Sequence, residues 1–290
     1  MHQNRTGRLL TAAALAMTLG ACANEPLTDS IREDASVRNE QAGNGKADAI
    51  VRVAAATLAR GDEPMAASLY RRAHGVDPRN FDAALGLGAT LARLGAREEA
   101  AAAYRDALAI HPDDSEALRG LGNVLILLNQ PAAAAQQFNR ALSAGKGGKD
   151  PGNKDPRLYN GLGVAYDMLD DHPAAQSYYQ EGLALAPENA EIANNLGLSL
   201  LLSGDTSGAV TALRRLAGNK TATVRHRLNL ALALVLAGDT RAAEQIARID
   251  LDPASADAQI AYFETIAGLH DPRALRKAIG AHIAGGASGS

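Results

Sequence analysis

Small and apolar positions return along this chain at a fixed spacing. A Leu-Gly pair is followed by Ala, by Tyr or Phe, by Ala again and by a closing Pro, with polar residues between them. Pro78 and Pro112 stand 34 positions apart, as do Gly88 and Gly122, and Gly163 and Gly197. Such a period predicts stacked helix–turn–helix units. One unit starts at Phe81 and carries Leu87-Gly88, Leu91, Ala100, Tyr104, Ala107 and Pro112. Gly88 and Ala100 let its helices approach, Tyr104 fills the gap towards the neighbouring unit, and Pro112 ends the second helix. The unit before it, from Ala47, has Ala54, Ala66, Tyr70, Ala73 and Pro78; the unit after it has Leu118, Leu121-Gly122, Leu125, Ala134, Phe138 and Ala141. A fourth begins at Pro156, with Tyr159, Leu162-Gly163, Tyr166, Ala175, Tyr179 and Pro187. The fifth and sixth keep Leu196-Gly197 and Ala209, then Leu230-Ala231, Leu234 and Ala243, but lack the aromatic and the proline in place. Two further helical stretches follow, over 257–269 and 272–283.

This pattern resembles the tetratricopeptide repeat. The resemblance implies an all-α fold over residues 47–283: a right-handed superhelical solenoid of about six helix pairs plus a C-terminal capping helix pair. Such solenoids present an extended concave surface to a partner. The register breaks once, because Gly122 and Gly163 are 41 positions apart, seven more than the period. The surplus falls in 145–156, rich in Gly, Pro and Lys, where a loop is expected. A basic contact loop through Lys146, Lys149 and Lys154, a hinge between half-solenoids and a solvated insertion all fit that composition. It is no phosphate loop, since G-x-x-x-x-G-K-[ST] is absent.

The first residues carry an address. Arg5 and Arg8 precede an apolar stretch from Leu9 to Leu19, then Leu19-Gly20-Ala21-Cys22. A basic start, a short apolar run and small residues before a cut predict a secretory signal over 1–21. The run is shorter than the ~20 residues that a membrane span needs. The last four positions resemble a bacterial lipobox, which implies lipidation of Cys22, the only cysteine; an ordinary signal peptide with an incidental cysteine is the alternative. Ala23 stands where enteric bacteria use Asp to retain lipoproteins at the inner membrane, so the resemblance favours the outer membrane, with the solenoid in the periplasm. Residues 22–46 are polar and predict a flexible tether, reaching roughly 25–30 Å. A frayed tail is expected over 284–290.

Composition narrows the function. Net charge is −3 and becomes −5 once residues 1–21 are removed, so no basic field points to nucleic acid. One cysteine makes no internal disulfide, and no His or Cys pattern points to a metal. Neither H-E-x-x-H nor a Ser, His and Asp motif occurs, so neither cofactor nor catalysis is expected. Binding residues should lie at the second, fifth, sixth and ninth places of each first helix, facing inward. Those places hold Glu116, Arg119 and Asn123, then Arg157 and Asn160, then Glu191, Asn194 and Asn195, then Arg225 and Asn229. Amides can donate to and accept from the backbone of an extended peptide; they can equally pack against neighbouring helix ends. Arg119 and Asn123 partly imitate a carboxylate clamp, but Glu191 stands where a cation is wanted, which argues against a chaperone-tail clamp.

The lipobox, tether and repeat array together resemble bacterial envelope assembly lipoproteins, and the C-terminal segment resembles the TadD family of the tight-adherence (Flp) pilus machinery. Asn229-Leu230-Ala231-Leu232-Ala233, Ala237-Gly238-Asp239, Ala243-Glu244, Asp250-Leu251 and Ala258-Gln259-Ile260-Ala261-Tyr262-Phe263 carry the likeness; Gln259-Ile260 departs from the Asn-Leu usual there. The resemblance implies a non-catalytic, outer-membrane-associated lipoprotein that assists Flp pilus assembly, pilotin-like, by helping the pilus secretin localise or assemble. The partners so implied are protein or extended peptide segments, and the membrane through Cys22. A general periplasmic adaptor or holdase for a cell-wall or polysaccharide-export complex is the alternative.

Overall fold

The computed structural model describes residues 44–147 and 154–285. Cys22, the signal and tether readings, the tail from 286 and the centre of the inserted loop lie outside the described residues. Fourteen helices and no strands occur among the described residues. The first unit pairs α1 (44–59) with α2 (Glu63–Val76). α3 (Phe81–Arg93) pairs with α4 (Arg97–Ile110), and α5 (Ser115–Leu127) with α6 (Pro131–Gly147). α7 (Pro156–Met168) and α8 (His172–Leu185) follow, then α9 (Ala190–Ser203) and α10 (Thr206–Ala217). α11 (Val224–Leu236) pairs with α12 (Thr240–Ala247), and α13 (Pro253–Ala267) and α14 (Pro272–Gly285) close the chain. This is the expected repeat solenoid.

Each helix begins and ends for local reasons. Asn80, Asp114, Asp155, Asn189 and Asp252 cap the helices that follow them by accepting a hydrogen bond from a backbone N–H in the first turn, which satisfies an otherwise orphaned donor. Inside every one of the six units, one residue of the turn between the paired helices has positive φ: Gly61, Gly95, Asn129, Asp170, Gly204 and Gly238. Glycine takes that conformation without strain, and Asn and Asp tolerate it best among the rest. The turn before α14 breaks the series: Leu269, which follows the C-cap Gly268 as Gly95 follows Leu94, is not among the residues with positive φ. The insertion is also shorter than its glycine content predicts, because α6 continues to Gly147 and α7 starts at Pro156.

The core runs along the stack as aromatic rings held between glycines. A Cβ on Gly88 would sit 3.0 Å from the Tyr104 ring, and one on Gly120 of the next unit 2.4 Å from it. Phe138 is held the same way between Gly122 and Gly161, at 2.5 Å from each, and is 0 % exposed. These rings weld unit to unit, which a solenoid needs because each unit touches only its neighbours. α13 stacks on α11 and α12 as the first helix of another unit would. α14 takes a different course, described below.

Candidate functional site: the inner face of the first helices

The inward residues fall into two groups. Glu116, Arg119 and Arg157 meet where α5 and α7 begin, lining an open cleft of about 680 Å³ with Asp114, Ser115, Lys154, Asp155, Pro156 and Asn189. Asp155 is its hub. Its carboxylate takes the Arg157 guanidinium in a fork, Nε at 2.8 Å and Nη2 at 2.8 Å, while Arg119 Nε lies 3.6 Å away. Burial alone would lift the Asp155 carboxyl, but the hydrogen bonds from Arg157 and the charges of Arg157 and Arg119 outweigh it and hold the group below its ordinary value. Ser115 Oγ is buried there with no hydrogen-bond partner among the described residues. The cleft thus offers the guanidiniums of Arg119 and Arg157 beside the carboxylates of Asp114, Glu116 and Asp155, the equipment of a polar peptide site.

The amides form the second group, and they bond chiefly to each other. Asn160 donates to Glu191 at 2.9 Å and accepts from Asn195 at 2.9 Å. Asn194 Nδ2 reaches Asn195 Oδ1 at 3.5 Å, and Asn229 donates to Asn194 at 2.7 Å. A ladder of side chains therefore crosses α7, α9 and α11. Asn194 and Asn229 are only 6 % and 2 % exposed, so these two serve helix packing, the second of the two roles open to them in the sequence. Asn160 and Asn195 are half-buried, and Glu191 is exposed at the ladder's end. Asn123 and Arg225 are exposed and belong to neither group.

Sequence reading missed Asp155, although it precedes Pro156 in the capping place that Asp114 and Asn189 hold in their units. It also missed a buried knot at the opposite end of α7. Asp167 accepts from Ser199 Oγ at 2.6 Å and Tyr179 OH at 3.0 Å, and His172 Nδ1 lies 2.8 Å from its Oδ1. Burial raises the Asp167 carboxyl above its ordinary value despite those bonds. Serine here bonds the carboxylate directly, and no contact joins it to the imidazole, so this is not a nucleophile and base in the triad arrangement. The knot ties α7, α8 and α9 together. Among the described residues no three His, Cys, Asp or Glu side chains gather to hold a metal ion. No described helix is long and apolar enough to cross a membrane.

The geometry defines a repeat scaffold with a polar inner face. A tetratricopeptide repeat family model matches residues 54–115, 93–153 and 160–222, more than half of the chain, and the chain belongs to that family, whose members generally act as protein-interaction scaffolds. Comparison with curated protein sequences gave no match. Among solved structures, PilF of Pseudomonas aeruginosa is similar at 20 % identity and a TM-score of 0.60, over 77 % of this chain and 99 % of that one. PilW, a widely conserved type IV pilus biogenesis factor, is similar at 21 % identity and a TM-score of 0.62, over 69 % of this chain and 90 % of that one. MamA from Desulfovibrio magneticus RS-1 matches at 22 % identity and a TM-score of 0.54, over 59 % and 93 %. At such identities the likeness concerns the fold.

Proposed function

We propose that this chain is a non-catalytic lipoprotein of the TadD type, held at the outer membrane through Cys22, that assists assembly of an Flp pilus by gripping a segment of the pilus secretin. The observation that carries the binding role is the open cleft between α5 and α7, where Arg119, Arg157, Asp155 and Glu116 line one space. An extended polar segment would find charge-assisted and backbone-directed hydrogen bonds there. The pilus assignment is supported by the C-terminal resemblance and by the shared fold of PilW, itself a pilus biogenesis factor. A lipid anchor beside the secretin's own membrane would raise the cleft's effective concentration.

Crosslinking from envelope fractions, comparing the wild type with Cys22→Ser, tests this reading. The secretin should be recovered with the wild type and be lost or mislocalised with Cys22→Ser. Capture of other envelope proteins without the secretin would overturn the pilus role and favour a general periplasmic adaptor.

A further inference from the structure

α14 does not behave as a second helix. The second helix of each unit packs on its own first helix and on the next. α14 instead turns back over the layer of first helices and reaches α9, two units earlier, as well as α13. Leu275 and Ala278 pack against the apolar cluster that runs from α9 through α13, which includes Leu198, Leu232 and Phe263, and Ile279 is part of it at 1 % exposure. The His282 ring meets Phe263 edge-on at 5.1 Å and 89°. Burial and the nearby charge of Arg225 on α11 lower the His282 pKa. At the other end Arg273, Arg276 and Lys277 rim a cavity of about 520 Å³ that they share with Asp167, Asp170, His172 and Leu202. His172, 6 % exposed, keeps a buried Nε2 without a hydrogen-bond partner among the described residues.

The anchoring side chains of α14 fall at 275, 278, 279 and 282, the i, i+3, i+4 and i+7 spacing of an amphipathic helix laid in a groove. Arg273, Arg276 and Lys277, beside that stripe, are exposed. We propose that the inner face over α9, α11 and α13 is a helix-accepting groove, that α14 is its resident ligand, and that the partner it takes is an amphipathic helix of another protein with this apolar spacing and a cationic first turn. The cations suit the end of the groove where Asp167 and Asp170 lie. The proposal rests on the reading of the inner face as the interaction surface and needs no particular client. Because the connection from α13 is short, α14 holds the groove at an effective concentration on the order of millimolar. A competing helix gains entry when α14 is loosened.

The probe is a labelled synthetic peptide of residues 270–285, followed by fluorescence anisotropy with the full chain carrying Cys22→Ser. Ile279→Asp in the chain should loosen α14 and tighten peptide binding at least tenfold over the otherwise unchanged chain. The same change in the peptide should abolish binding, as should adding Leu202→Glu to the loosened chain. A loosened chain that keeps its helical signal and binds the peptide no better overturns the proposal. Should Ile279→Asp unfold the chain, amide exchange on the unaltered protein decides: α14 must open as a unit faster than α13, and equal protection of both makes α14 a fixed cap. Secretin capture without peptide binding sinks this inference alone, and peptide binding without secretin capture sinks only the pilus role.

Discussion

The amide ladder makes a quantitative claim. Asn229 Nδ2 donates to Asn194 Oδ1 at 2.7 Å, at a place where the two residues are 2 % and 6 % exposed. Asn229→Ala removes the donor and strands the Asn194 oxygen away from water, at about 1–3 kcal/mol for an orphaned buried polar group. Asn194→Ala strands the Asn229 amide for a similar cost. Replacing both by Leu removes donor and acceptor together and fills the space with apolar volume, so the double variant should sit near the wild type. With Asn194→Leu and Asn229→Leu as the matching singles, the pair is then strongly non-additive, with a coupling of roughly 2–6 kcal/mol. Urea unfolding of the Cys22→Ser chain, followed by circular dichroism, measures the sum. Amide exchange in α9 and α11 localises it, since repeat arrays open unit by unit. Singles that each cost under about 0.5 kcal/mol and add up would refute the ladder as a structural device. Loss of client capture by a fully stable double variant would instead restore these amides as contacts.

Three other outcomes are expected. Phe138→Ala should destabilise by about 3–5 kcal/mol. Gly161→Ala should still cost about 1–2 kcal/mol, because the overpacking penalty exceeds the ~1 kcal/mol of helix propensity gained; thermal melts rank the two, and a stabilised Gly161→Ala would show that the ring is not clamped. Asp167→Ala strands Ser199, Tyr179 and His172 and should cost about 2–4 kcal/mol, whereas Asp167→Asn, which keeps an acceptor oxygen, should cost less in the same melts. Acid should act through Asp155 and Asp250, whose carboxyls are held below their ordinary 3.8 by Arg157 and Arg227 despite burial. A depressed carboxyl stabilises the fold above its unfolded pKa and loses that contribution as pH falls through the folded one. Asp167, raised by burial, has the opposite sign and is relieved on protonation. Melting temperature should therefore fall below about pH 4, and less so in Asp155→Asn/Asp250→Asn; an identical acid limb in that variant refutes the assignment.

The stack was legible because its units share punctuation: a closing proline in three of them, capping Asn, Asp or Thr before the first helices, Gly, Asn or Asp in the turn, small residues where helices cross. These are local requirements, and local sequence states them. What the inward side chains do was less legible. Glu116, Arg119 and Arg157 gather in one cleft, but the carboxylate that organises them, Asp155, reads in sequence as a helix cap and nothing more. The sixth place of the first helix explains the ladder. Gly86, Gly120 and Gly161 hold that place where a ring of the preceding unit fills the space. Asn195 and Asn229 hold it in α9 and α11, and their amides reach across to the preceding first helix. α14 was legible as a helix, but its destination was not, because its seat over α9 is set by apolar contacts distant in sequence.

The cleft and the cationic end of the α14 seat lie at opposite ends of α7. Arg157 stands in its first turn and Asp167 in its last, roughly 15 Å apart at 1.5 Å per residue. Two ligands so separated need not collide, and the hydrogen-bonded ladder between them stiffens the floor they share. The sites should therefore be separable by charge. Arg119→Glu/Arg157→Glu inverts the cleft without touching the apolar seat of α14. It should weaken client capture at least tenfold at low salt and less at high salt, since exposed charges are screened within ~10 Å at 0.1 M. The same double variant, placed in the Ile279→Asp chain, should leave binding of the 270–285 peptide unchanged. If instead peptide binding falls in parallel with client capture, the inner face is one continuous site, and α14 competes directly with whatever the cleft holds.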